Sequence, residues 1–136
     1  MAEALFKHMV SDNNGPECMI EVKSAGTTFR TDEAPAVENA VAVMAERGLD
    51  IRSHRAQTIN DTLVDWADLI LTMTSEHKQH VETKFGNARG KVYLLTEYAG
   101  AQGDIPDPVF SGIDAHRECA TYLENLLGKI KLTFIE

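Results

Sequence analysis

The sequence predicts an α/β fold of three layers, a short parallel sheet with helices on both faces. Three observations carry that prediction. Amphipathic stretches alternate along the chain with short continuous apolar runs, among them Leu69-Ile70-Leu71-Thr72-Met73 and Val92-Tyr93-Leu94-Leu95. Runs of the second kind suit strands buried on both faces, and strands alternating with helices demand crossover connections and a parallel sheet. Finally, the chain opens inside a helix: Met1, Ala2, Leu5, Phe6, Met9 and Val10 share one helical face. The first helix of a parallel α/β fold ordinarily follows a strand, so a further strand ahead of Met1 is expected to complete the sheet.

The elements follow in order. After the first helix, Asp12-Asn13-Asn14-Gly15-Pro16 is dense in turn residues. Met19 to Ser24 reads as a short strand that Ala25-Gly26 ends. The next helix is expected from Pro35 to Arg47, with Pro35 in its first turn, Val37, Ala40, Val41 and Met44 as its apolar stripe, and Gly48 just past its end. Asn60 suits the N-cap of a short helix over Asp61–Ala67, in which Trp66 is expected to fill core. Ser75 is placed as cap of the following helix, which ends at Phe85 before Gly86. The last helix starts near Asp114 and carries Cys119, Ala120, Leu123, Leu126, Leu127 and Ile130 on one face.

At 136 residues with 43% hydrophobic and 25% charged residues, the chain is expected to form one soluble domain spanning residues 1–136. No apolar run is long enough to cross a bilayer, and no charged-then-apolar leader opens the sequence, so a cytoplasmic location is expected. A net charge of −8 argues against a nucleic-acid or anionic-membrane surface while leaving room for a local anion site. Cys18 and Cys119, the two cysteines, lie in no paired metal-ligand or disulfide spacing and read as reduced thiols. Neither a metal nor an organic cofactor is signalled.

Five segments in register resemble the low-molecular-weight protein tyrosine phosphatase family, including its bacterial arginine phosphatase branch. Met1-Ala2-Glu3-Ala4-Leu5-Phe6 resembles the stretch after the family's phosphate loop, and Val22-Lys23-Ser24-Ala25-Gly26-Thr27 its second strand and turn. Gly48-Leu49-Asp50-Ile51-Arg52-Ser53-His54-Arg55-Ala56 resembles the segment after the second helix. Ala67-Asp68-Leu69-Ile70-Leu71-Thr72-Met73-Thr74 resembles the third strand, and Ile105-Pro106-Asp107-Pro108 the loop that holds the general acid. The resemblance implies a four-stranded parallel sheet and a cysteine-dependent phosphatase acting on phosphorylated proteins without a cofactor.

Family members carry a C-x5-R-[ST]-P loop before the sequence that corresponds to Met1. Its cysteine attacks phosphorus while backbone N–H groups and the arginine hold the phosphoryl oxygens, and the helix N-terminus favours the thiolate. Here Ser24 stands six residues after Cys18 and Asn125 six after Cys119, so neither cysteine replaces that motif. The expectation is a late-started reading frame, with the first strand and the nucleophile missing and the chain inactive as given. A non-catalytic pseudo-phosphatase that binds partners is the alternative. A thiol-dependent arsenate reductase ranks lower, because its relay needs cysteines after the third strand and Met73 to Gly90 holds none.

By the resemblance, Asp107 is the general acid and base: it protonates the leaving atom, then activates the water that hydrolyses the phosphocysteine. Read alone, an Asp before Pro is a turn residue. Phe110, in Val109-Phe110-Ser111-Gly112, is the candidate substrate-binding wall. With one aromatic after Asp107-Pro108, the lid leans slightly towards phosphotyrosine, with phosphoarginine nearly level. His77 and His80, three apart, read as a solvated helix face rather than metal ligands. His54 beside Arg55 reads as a structural hydrogen-bonding residue. Asp32, Glu33 and Asp61 near helix starts are accounted for by the helix dipole.

Overall fold

A computed structural model describes residues 1–11, 20–27, 34–109 and 111–135. The expected turn at 12–16, together with Cys18, Met19, Asp32, Glu33 and Phe110, lies outside the described residues. Along the chain run α1 (Ala2–Ser11), α2 (Glu38–Glu46), α3 (Asp61–Trp66), β1 (Ile70–Thr72) and α4 (Ser75–Lys84). A 3₁₀ turn (Gly86–Ala88), β2 (Val92–Leu94), α5 (Leu95–Tyr98) and α6 (Ile113–Ile135) complete the order. These elements fall into two compact units.

The first unit comprises Met1–Ser24, Ala34–Arg55 and Asp107–Glu136. Its centre is α6, against which α1 and α2 both pack. Leu5 and Phe6 bury the predicted face of α1, while Lys7 and His8 are exposed. On α6, Ala120, Leu123, Leu126, Leu127 and Ile130 are buried, as their spacing requires. Helix α2 departs from its expected start. Pro35 forms an isolated antiparallel bridge with Arg55, and Val37 is still extended, so the helix begins at Glu38. Its buried stripe is Ala40, Val43 and Met44, with Val41 half-buried and Val37, ahead of the helix, 41% exposed. The end is as expected. Gly48 takes φ of 76°, its N–H bonds the Ala45 carbonyl at 3.0 Å, and the Leu49 N–H bonds the Met44 carbonyl at 2.9 Å. That pair of bonds satisfies carbonyls the helix end leaves open, and glycine alone takes this backbone without strain.

The second unit comprises Ala25–Glu33 and Ala56–Pro106. β1 and β2 pair in parallel with Ile70 opposite Val92, Leu71 opposite Tyr93 and Thr72 opposite Leu94. Helix α4 packs on both strands. Val64, Val81, Phe85, Ala88 and Val92 form the core here, with Ile59 and Ile70 against it. Asn60 caps α3 as expected, its Oδ1 accepting the Leu63 N–H at 2.9 Å. The Lys91 ammonium donates to the carbonyls of Val64 and Ala67, tying the far end of the same helix to β2.

Several expectations need correction. Among the described residues the sheet has two strands: 20–24 takes no strand assignment, and the bridge nearest to it is a single parallel one from Gly26 to Thr58. A strand exists only through its partner, which an apolar run alone does not supply. Thr74, not Ser75, caps α4, because its extended backbone lets Oγ1 accept the His77 N–H at 3.1 Å. The Ser75 N–H is satisfied instead by Asp104 Oδ1 at 2.8 Å. Trp66 is 40% exposed, since Val64 takes the core position of so short a helix. His77 and His80 are half-buried rather than solvated, and the His80 Nε2 is shielded from water without a hydrogen-bond partner.

Candidate active site

The candidate site lies within the first unit, at the N-terminal end of α1. A helix start gathers unbonded N–H groups and the positive end of the dipole, the physical basis of anion binding there. Glu3, in the first turn, accepts the Ser24 hydroxyl at 2.7 Å and the Lys7 ammonium at 3.1 Å, and the His54 Nδ1 lies 4.0 Å away. Burial alone would raise the Glu3 carboxyl; the Ser24 hydroxyl, Lys7 and His54 outweigh it and hold the group below its ordinary value. The three segments that resemble family sequence at 1–6, 22–27 and 48–56 thus each give one side chain to a single cluster.

Asp107 sits exposed on the loop that leads into α6. Its Oδ1 accepts the Val109 N–H at 3.0 Å, so the carboxylate does hold a local turn. The Ser111 N–H closes the loop on the Pro108 carbonyl at 2.8 Å. One helical turn into α6 and beyond, Cys119 is half-buried. Burial pushes its thiol pKa up, the Met1 ammonium pulls it down, and the Asp107 carboxylate pushes it up again. Burial in turn lowers the Met1 amino group, against the pull of Cys119 and Glu3. The Asp107 carboxylate and the chain's first residue thus act on the Cys119 thiol in opposite directions.

Sequence reasoning placed Asp107 on a loop and His54 in a structural hydrogen-bonding role, and both stand in this unit. Phe110, the candidate wall, lies outside the described residues; its neighbour Val109 is 37% exposed. The Glu3 cluster was missed, because Glu3, Ser24 and His54 lie in three separate segments. Among the described residues no group of three or more His, Cys, Asp and Glu side chains gathers to hold a metal ion. A shallow groove of about 360 Å³ lined by Val41, Ala45, Gly48, Leu49, Asp50 and Arg52 holds none of the residues of this site.

The N-terminal end of a helix can hold a phosphate group. The profile of the low molecular weight phosphotyrosine protein phosphatases matches residues 1–134. The protein-arginine-phosphatase of Bacillus subtilis is 36% identical over 131 residues, covering 96% of this chain and 84% of that protein. The low molecular weight protein-tyrosine-phosphatase PtpB of Staphylococcus haemolyticus is 33% identical, covering 96% and 87%. Among solved structures, a mutant of YwlE from Bacillus subtilis superposes with a TM-score of 0.90 at 32% identity, covering 99% of this chain and 88% of that one. A cysteine-to-serine mutant of the YwlE arginine phosphatase with a phosphorylated active-site serine gives 0.89 at 34% identity, covering 97% and 84%. The chain belongs to the low molecular weight phosphotyrosine protein phosphatase family. It is a protein phosphatase by that membership, and among the described residues no helix is long and apolar enough to cross a membrane.

Proposed function

We propose that this chain serves a cysteine-dependent protein phosphatase that removes phosphoryl groups from arginine side chains, with Asp107 as general acid and base. The carrying observation is the family match over residues 1–134, within which Ile105-Pro106-Asp107-Pro108 resembles the loop that holds the family's general acid. In the reaction a thiolate attacks phosphorus, the bond from phosphorus to the leaving atom breaks, and its electron pair takes the proton of Asp107. The carboxylate then accepts a proton from the water that attacks the phosphocysteine, releasing phosphate and the thiolate. Neither Cys18 nor Cys119 has an arginine six residues on, so thiolate and arginine come from a C-x5-R loop other than these two positions.

Support for arginine comes from the relatives named protein-arginine-phosphatase, at 36% and 34% identity. The lid, with one aromatic after Asp107-Pro108, leans the other way, and the reading rests on the relatives. Phosphotyrosine is the second reading, favoured by the resemblance to PtpB. The enzyme acts in the cytoplasm as one domain, on phosphoproteins, with no cofactor and no nucleic-acid or membrane partner.

The test compares two proteins, the 136 residues alone and the same residues preceded by a C-x5-R loop. The first should not hydrolyse p-nitrophenyl phosphate, and the second should. On peptides, kcat/KM for phosphoarginine should exceed that for phosphotyrosine by about tenfold, or ~1.4 kcal/mol of transition-state discrimination. Cysteine-dependent turnover by the 136 residues alone overturns the assignment of the nucleophile, and a tenfold preference for phosphotyrosine overturns the substrate.

A further inference from the structure

The acid loop is held at its far end by an arrangement that the reaction does not itself use. His116, on the first turn of α6, is 1% exposed, yet it is a polar ring. Its Nδ1 lies 3.0 Å from the Gly112 carbonyl, which also accepts the His116 backbone N–H at 3.3 Å. A carbonyl only accepts, so Nδ1 carries the hydrogen and the ring is the Nδ1–H tautomer. Its Nε2 is shielded from water and has no hydrogen-bond partner among the described residues. One residue earlier, the Ser111 carbonyl accepts Asn39 Nδ2 of α2 at 3.4 Å. Two helices thus hold two successive carbonyls of the segment that begins at Asp107.

Packing does not account for this. An apolar side chain of similar size would fill the same space without burying an unsatisfied nitrogen, which costs about 1–3 kcal/mol. The bond made by Nδ1 is what the position gains in exchange. The Asp107–Val109 turn and the Ser111–Pro108 closure both lie within the loop, whereas Asn39 reaches it from α2 and His116 from α6.

We propose that His116 is a positioning residue for the general acid, with Asn39 as its weaker second point of attachment: it clamps the Gly112 carbonyl and so fixes where Asp107 stands. The inference rests on the reading of Asp107 as the acid. General acid catalysis needs the proton within hydrogen-bond reach of the leaving atom, and a shift near one ångström costs up to about 10²-fold in rate. A loosened clamp therefore acts on substrates whose leaving atom needs the proton and spares those that leave without it.

Two variants separate the clamp from simple packing. His116→Phe fills the site without a donor, and His116→Asn places an amide N–H where Nδ1 stands. In the 136-residue chain, ¹⁵N spectra of the His116 ring should show Nδ1 protonated and Nε2 bare. Hydrogen exchange at Ser111 should rise about tenfold in His116→Phe and return to within about twofold in His116→Asn, as a lost and a restored bond require. In a protein made with a C-x5-R loop ahead of these 136 residues, His116→Phe should slow an alkyl or phenyl phosphate about tenfold, leave p-nitrophenyl phosphate within about twofold, and be rescued by His116→Asn. An Nε2-protonated ring, or equal loss on both substrates without rescue by Asn, overturns the clamp. Asp107→Asn run in parallel keeps the two readings apart. If it too is insensitive to the leaving group, the acid assignment has failed; if it is sensitive while His116→Phe is not, only the clamp has failed.

Discussion

Replacing Ser24 by Ala removes the shortest hydrogen bond to Glu3, the 2.7 Å contact that draws the segment at 22–24 onto the first turn of α1. A hydrogen bond to a charged group contributes about 1.5–3 kcal/mol. The Glu3 side chain keeps 20% of its surface exposed, so water partly replaces the lost hydroxyl and the low end, about 1.5 kcal/mol, is expected. With an unfolding entropy of about 2.1 cal/mol/K per residue, that corresponds to a fall in Tm of about 5 °C for a chain of this length. The sign of the pH dependence follows from Glu3, whose carboxyl is held below its ordinary value of 4.5. Such a group contributes stability above its unfolded pKa and loses it as pH falls through the folded one. The Ser24→Ala penalty should therefore be full at neutral pH and shrink as the pH falls below 4.5 and Glu3 protonates. Thermal melts of both proteins across that range measure it. An unchanged Tm at neutral pH, or a penalty that does not move with pH, would refute the role given to this bond.

Two further substitutions test how the helices end. Gly48→Ala should cost about 1 kcal/mol, because φ of 76° is strained for any residue with a Cβ while no atom within 4 Å would clash with it. A denaturant midpoint equal to that of the parent would deny the left-handed cap. Asn60→Ala should cost about 1 kcal/mol and speed hydrogen exchange at Leu63, whose N–H the Asn60 side chain accepts; protection unchanged at Leu63 would show the cap to be idle.

The parts of the fold legible from sequence are those fixed by local chemistry. Asn60 before Asp61 and Gly48 after the apolar stripe of α2 mark helix ends because a cap is a bond within four residues. The apolar face of α6 was legible because its period is set by the helix itself. What depends on distant partners was not. The segment at 20–24 has strand composition but no ladder, and Pro35 is drawn into a bridge with Arg55 that delays α2. The site divides in the same way. The loop position of Asp107 was legible through the register of Ile105-Pro106-Asp107-Pro108, and its role as acid is a proposal, whereas the convergence of Glu3, Ser24 and His54 spans residues far apart in sequence. His116 reads in sequence as one more polar residue near a helix start; only its burial shows that it holds the loop.

Asp107→Asn bears most directly on the account, because the amide oxygen can still accept the Val109 N–H while the group has no proton to give. In a protein made with a C-x5-R loop ahead of these 136 residues, kcat is measured across aryl and alkyl phosphates of graded leaving-group basicity and on a phosphoarginine peptide. Asp107 as general acid predicts a loss of about 10²-fold or more on the poorest leaving groups and on phosphoarginine, falling towards parity at p-nitrophenyl phosphate. A loss of equal size across the whole series contradicts that role and leaves Asp107 as the residue that holds the turn.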